Sequence, residues 1–221
     1  MNSKPNFELE KKLRKTGFKI ICGIDEAGRG AWAGPLVAGA VILRPTQKPI
    51  FQDSKKLNKK NREKLYEIVI QKSFGWSAGV VEVEEINHFG IQSANYLAFQ
   101  RAIEGLKLIP DCLLVDHYRL PGYRNHQISL TRGDQISQTI AAASIIAKVT
   151  RDRLMKNLAR ETNLEIFKFD RNFGYGTKKH CEAIRENGLC PHHRIKFCLS
   201  LILEKNQKRL FENISIIDKN L

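Results

Sequence analysis

A chain of 221 residues is long enough to bury a real core as one large domain, with or without a helical tail. Lys and Arg number 37 against 23 Asp and Glu, a formal charge of +14, so the expected partner is a polyanion, nucleic acid first, bound with strong salt dependence. No apolar run is long enough to span a bilayer and no basic amphipathic helix shows an aromatic face, which sets a membrane partner aside.

Residues 1–18 read as a polar leader without the apolar stretch of a secretory signal, so the cytoplasm is the expected compartment. The five cysteines are an odd number, and two lie in apolar strand-like runs, which suits reduced thiols. Cys190, His192, His193 and Cys198, with His180 and Cys181 upstream, lack paired Cys-x-x-Cys spacing. Core thiols and surface histidines are a better account of them than zinc.

Residues 19–25 and 35–43 read as buried strands joined by a glycine-rich turn, hence an antiparallel pair. The first strand is expected to stop at Asp25 and Glu26. Successive strand side chains face opposite ways, so adjacent acids reach one cation only where a strand ends and the chain bends. Gly28 and Gly30 permit a bend and leave bare amides for a sugar or phosphate, while Arg29 adds a fixed charge. Taken alone, such a doublet is more simply a strand exit with solvated charges.

From Lys55 a helix opens whose apolar positions continue at Leu65, Ile68 and Val69. Its opposite face is heavily cationic and is either solvated or in contact with phosphate. Residues 73–83 resemble a third strand, and Glu82, Glu84 and Glu85 mark a helix start, where negative charge suits the dipole. Residues 94–106 are helical up to Pro110, and Cys112 to Asp116 form a fourth strand that also closes on a carboxylate. After a Pro121-Gly122 turn, residues 126–130 make a fifth strand. Arg132-Gly133-Asp134 then leads into a long helix through Lys148, with small residues suited to close packing on the sheet. The order of elements gives an α/β fold with a mixed sheet and one core to about residue 160. From Tyr175 the chain is helical with loops. Residues 199–221 form a charged amphipathic tail helix that covers the sheet or docks a partner.

Asp25 and Asp116 close apolar strands, Glu26 adjoins the first, and Asp134 sits where a glycine hands the chain to a helix. Gathered acids repel, and such a cluster persists most readily around divalent cations; all-oxygen ligation favours Mg²⁺ or Mn²⁺. Singly, Asp116 is a turn residue and Asp134 a helix cap. There is no Gly-x-Ser-x-Gly elbow and no P-loop, which leaves metal-assisted hydrolysis of a phosphodiester.

The blocks Gly23-Ile-Asp25-Glu26-Ala-Gly28-Arg29-Gly30, Asp53-Ser-Lys55-Lys-Leu57, Leu113-Leu-Val-Asp116, Gly133-Asp134, Ala141-Ala-Ala-Ser144-Ile-Ile-Ala-Lys148-Val-Thr-Arg151-Asp152 and Gly174-Tyr175-Gly-Thr177 keep a familiar order and spacing. Over about residues 19–197 the chain resembles ribonuclease HII. The resemblance implies a ribonuclease H-like catalytic domain, a mixed five-stranded sheet flanked by helices, with a C-terminal helical extension at 198–221. It implies an endonuclease that cuts the RNA strand of RNA–DNA hybrids and acts at ribonucleotides embedded in duplex DNA, leaving a 3′-hydroxyl and a 5′-phosphate; nothing in the sequence requires more than a monomer. Asp25, Glu26, Asp116 and Asp134 take the places of the family's catalytic and metal-binding acids. Gly28, Arg29 and Gly30 match its ribose-reading segment, Tyr175 its sugar-stacking ring, and Lys55 a phosphate contact. A replication or repair protein is a partner the tail could serve.

Asp152 reads as a helix ion pair rather than a fourth ligand, and His193-Arg194 match a family pair whose role is structural or functional. Ala31 stands where the family has proline, His117-Tyr118 follow Asp116 where it has glycine, and Lys196 stands where it has serine. The related ribonuclease HIII usually carries Gly-Thr-Gly in place of Gly-Arg-Gly and an extra N-terminal domain. A basic hybrid-binding module without catalysis, or a metal-stabilised structural protein, remains as a reading from other classes.

Overall fold

The computed structural model describes residues 4–45, 59–161 and 164–203. Five strands, β1 (Ile21–Ala27), β2 (Leu36–Leu43), β3 (Ser73–Val81), β4 (Cys112–Asp116) and β5 (His126–Leu130), form one sheet in the order β3-β2-β1-β4-β5. β1, β2 and β3 run antiparallel as consecutive neighbours, whereas β4 lies parallel to β1 and to β5. The sheet is the mixed five-stranded one expected. β2 is apolar along its whole length because both of its faces are covered.

Helices α1 (Glu8–Lys15), α2 (Lys59–Lys72), α3 (Val83–Phe89), α4 (Ile91–Glu104) and α5 (Gln138–Leu158) accompany these strands. On one face Leu36, Ala38, Ala40 and Ile42 of β2 pack with Ala94, Ala98 and Phe99 of α4. On the other, Val41 and Leu43 pack with Ala141, Ala142 and Ile145 of α5. The long helix lies close to the backbone of the sheet: a Cβ on Gly23 would strike Thr139, and one on Gly39 would strike the Ala143 carbonyl. Glycine in these strands and alanine in the helix are two halves of one packing solution.

The chain divides into two compact units, residues 1–29 with 35–153, and residues 30–34 with the chain from 154. The second has its own core of Met155, Leu164, Phe167, Phe169, Ile184 and Cys198. It contains α6 (Phe169–Asn172), α7 (Lys178–Asn187) and a helix over 195–203. Among the described residues no helix is long and apolar enough to cross a membrane.

Three local readings are corrected. β1 does not stop at Asp25; it continues to Ala27 because β2 keeps pairing with it, Asp25 opposite Gly39 and Glu26 opposite Ala38. The third strand ends at Val81, and Glu82 caps α3 in a reciprocal box with Glu85. His180 and His193 are buried rather than on the surface. Lys55 and the tail beyond residue 203 lie outside the described residues.

Candidate active site

Asp25, Glu26, Asp116 and Asp134 all belong to the first unit. β1 and β4 pair in parallel up to Ile24 opposite Val115, so Asp25 and Asp116 are the next residues along two adjacent strands. Asp116 then accepts a hydrogen bond from the Gly133 amide, at 2.6 Å to its Oδ1. That bond ties the end of β4 to the 3₁₀ turn Gly133–Gln135, which carries Asp134.

Because Asp25 and Glu26 stay within a regular strand, they point to opposite faces. Asp25 shares the face of Gly23 and Gly39, the α5 side, and it feels Asp116, Glu26 and Asp134. Glu26 shares the face of Ile24 and Ala38, the α4 side, and it feels Arg29 and Asp116. The acids therefore straddle the end of the sheet, with Asp116 common to both sides. A bend after Glu26 is not what brings them together; the parallel register of β1 and β4 is.

Burial first, and the neighbouring Asp116 next, push the Asp25 carboxyl well above the usual range. Burial raises Glu26 to about 7 against the opposing pull of Arg29. Glu26 Oε2 is buried without a hydrogen-bond donor. Among the described residues no three His, Cys, Asp or Glu side chains close tightly enough to hold an ion by themselves. Unscreened acids keep apart, and a hard cation that retains several waters and takes one or two carboxylates needs no tight cage. The donor set, oxygen only and electrostatically strained, fits Mg²⁺ or Mn²⁺.

Arg29 follows directly. Its guanidinium donates to Gln92 Oε1 at 2.6 Å and lies 4.1 Å above the ring of Tyr118. Gly28 takes φ +91°, and a Cβ there would run into the Arg151 guanidinium, itself fully buried and donating to the Pro35 carbonyl at 2.8 Å. Only glycine allows both the turn and the arginine beneath it.

A family profile described as Ribonuclease HII matches residues 22–200. The ribonuclease HII of Caldicellulosiruptor bescii is 43% identical over 199 residues, covering 89% of this chain and 95% of its own. The chain belongs to the ribonuclease HII family. Membership makes it a metal-dependent ribonuclease. The ribonuclease H2 of Pyrococcus horikoshii superposes with a TM-score of 0.70 at 25% identity, covering 85% of this chain and 99% of that one. The RNase HII of Archaeoglobus fulgidus, solved in a complex with PCNA, shares the fold at a TM-score of 0.63 and 24% identity, covering 80% of this chain and 94% of that one.

Other motifs of the chain lie in the second unit. Gly30 opens it, and Tyr175 is 37% exposed there. The segment 30–34 is fastened by residues far along the chain. Trp32 and Ala33 amides donate to the Gly174 carbonyl, the Arg194 amide donates to Trp32 O, and the Arg194 side chain donates twice to Gly34 O at 3.0 and 2.9 Å. Beside them runs a chain of neutral rings. The Cys190 amide donates to His193 Nδ1, His193 Nε2 lies 3.1 Å from His180 Nε2, and His180 Nδ1 lies 2.9 Å from the Tyr175 carbonyl. One tautomer assignment satisfies every link: His193 carries its proton on Nε2 and His180 on Nδ1. Burial lowers both histidines, His193 to about 4.

Sequence reasoning passed over Arg151, Gln92 and Tyr118. Arg151 adjoins Asp152, which pairs with Lys148 at 2.6 Å and Arg62 at 3.4 Å. Gln92 carries no local signal, and Tyr118 stands out only within the departure His117-Tyr118 after Asp116, which says nothing of a contact with Arg29. The glycine missing after Asp116 does have a structural reading. His117 adopts φ +60°, the left-handed region that glycine occupies without cost.

Proposed function

We propose that this ribonuclease cleaves the RNA strand of RNA–DNA hybrids, and cuts at single ribonucleotides in duplex DNA, with Mg²⁺ or Mn²⁺ held by Asp25, Glu26, Asp116 and Asp134. The observation that carries this reading is the grouping of Asp25, Glu26, Asp116 and Asp134 at one sheet end, where burial and the neighbouring acids push the Asp25 and Glu26 carboxyls upward. A pair of divalent cations, when bound, supplies activation of water and stabilisation of the leaving oxygen. The chain's own task is placement. Asp116 joins the two sides of the acid cluster, and Arg29, fixed by Gln92 and Tyr118, presents a cation to substrate phosphate. The Gly28-Arg29-Gly30 turn, which carries no side chain at either glycine, suits the ribose 2′-hydroxyl, the group that separates RNA from DNA. Tyr175 supplies a ring for the neighbouring sugar, and Lys55 a phosphate contact. The excess of basic residues gives the long-range attraction to the duplex.

The test is a DNA duplex carrying one ribonucleotide. Cutting on its 5′ side with Mg²⁺ or Mn²⁺, giving 3′-hydroxyl and 5′-phosphate ends and lost in Asp116→Asn, is the expected result. Equal cutting of an all-DNA duplex would overturn the ribose reading.

A further inference from the structure

The residues before α1 bind the segment that follows Asp134. The Asn6 amide donates to the Ile136 carbonyl at 3.0 Å, and the Gln138 amide donates back to Asn6 O at 3.1 Å, a parallel bridge between Asn6 and Ser137. The Gln138 side chain donates to Pro5 O at 2.7 Å. From the first turn of α1, Glu10 Oε1 accepts from Ser137 Oγ at 2.6 Å, Thr139 Oγ1 at 2.8 Å and the Thr139 amide at 3.0 Å. Ser137 in turn accepts from the amides of Thr139 and Ile140 and so caps α5. Glu10, Ser137, Gln138 and Thr139 are all almost completely buried, at 3%, 0%, 0% and 2% exposure.

This is more than an ordinary helix cap. A cap needs one side chain from the preceding residue, which Ser137 already provides; here a second side chain, the Glu10 carboxylate, arrives from 127 residues away in sequence. A buried acid at a helix N-terminus is held by the dipole and by three donors, so it fixes position strongly. The short turn carrying Asp134 is thus fastened at both ends. Upstream the Gly133 amide is held by Asp116, and downstream Ile136 to Thr139 are held by residues 5–10. Ile136 and Ser137 amides both return to the Gly133 carbonyl, so the turn is too short to absorb movement of either end.

We infer that residues 5–10 are a clamp that positions Asp134 for its ion, with Glu10 as the principal positioning residue. The inference rests on the reading of Asp134 as a metal-binding acid. Glu10 touches neither ion nor substrate; it sets where the turn stands. Loss of partners that orient a ligand costs about ten- to a hundredfold in metal affinity.

The experiment measures Mn²⁺ binding to the full-length protein by water-proton relaxation, without substrate, in wild type, Glu10→Ala, Asp134→Asn and the double variant. Glu10→Ala is expected to weaken Mn²⁺ binding about tenfold. In the Asp134→Asn background it should weaken it no further, since the clamp acts through that residue. Glu10→Gln, which keeps an acceptor oxygen for Thr139 and Ser137, should restore most of the affinity. Gln138→Met, a milder lesion at the same bridge, should weaken binding about threefold, and it decides the matter if Glu10→Ala does not fold. Unchanged affinity in the variants, or an equal loss in both backgrounds, would overturn the clamp. If Asp134→Asn itself leaves Mn²⁺ binding intact, the carboxylate reading of that residue falls, and the clamp's purpose with it.

Discussion

The first unit and the second each bury a polar cluster, and the two are opposite in temperament. In the second, His180, His193 and Arg194 are buried and mutually satisfied: each ring nitrogen has a partner, the rings are neutral, and the guanidinium meets the Gly34 carbonyl. In the first, four acids share a sheet end, two are displaced upward in pKa, and Glu26 Oε2 has no donor. A satisfied network stabilises and specifies a structure, whereas an unsatisfied one of like charge is tolerated only where it serves a ligand. Burial of charge alone would not have told these clusters apart; the direction in which burial and neighbours push their protons does.

The contrast breaks most sharply under substitution. Asp25→Asn removes one charge from the repelling set, so cleavage should fall on the order of 10³-fold, several kcal/mol of lost charge stabilisation. In ion-free buffer the same variant should melt higher than wild type, because the repulsion it removes acts on the folded state. His193→Phe should do the reverse, leaving His180 Nε2 without its partner at a cost of about 1–3 kcal/mol, and lowering the melting temperature equally with and without Mg²⁺. A calorimetric scan of each variant with and without Mg²⁺ checks both. If Asp25→Asn melts lower than wild type in ion-free buffer, the acids are not under mutual strain.

A smaller effect separates the clusters by pH. Glu26 holds its proton to about 7 in the folded state against 4.5 ordinarily, so the folded protein binds the proton where the unfolded chain has released it. Stability of the ion-free protein therefore falls as pH rises from about 4.5 to 7. His193 is lowered from 6.5 to about 4, so there the unfolded chain binds the extra proton, and stability is lost as pH falls through that window. The two slopes oppose each other below about 6.5. Glu26→Gln should lessen the fall on the alkaline side, Asp25 supplying the remainder; saturating Mg²⁺ should lessen it further; and His193→Phe should lessen only the fall on the acid side, His180 supplying the remainder. Denaturant midpoints across pH 4.5 to 7.5 measure this, and a Glu26→Gln profile identical to wild type would contradict it.

What could be read from residues alone divides along the same physical line. Strands β1, β2 and β4 and the start of α5 are legible because apolar runs, glycine and small residues are local signals, and they put each acid at the end of an element or beside one. The run of β1 past Asp25 was not legible, since it depends on pairing with β2 rather than on anything in residues 25–27. For that reason the two adjacent acids were expected at a bend when they stand on opposite faces of a strand. The burial of His180 and His193 was hidden too, because each is satisfied by the other across a gap of 13 residues. A polar residue paired at long range looks like a surface residue until the fold is known.

Arg29 belongs to neither extreme, and it offers the finest test. Its charge draws Glu26 downward, yet it also touches neutral groups, Gln92 Oε1 and the Tyr118 ring. Charge and placement can therefore be separated. Arg29→Lys keeps the cation but gives up the planar fork and the stacking face, while Tyr118→Leu keeps the guanidinium and removes only the ring beneath it. A cation over an aromatic ring at a half-exposed site is worth about 1 kcal/mol, so Tyr118→Leu should lower kcat/KM on a single-ribonucleotide duplex about fivefold. Arg29→Lys should lose more, because the bond to Gln92 goes with the ring contact. Both should leave the ion-free melting temperature and its pH slope almost unmoved, since neither changes the charge beside Glu26. If Tyr118→Leu cuts as well as wild type, the ring does not hold Arg29 in the productive position.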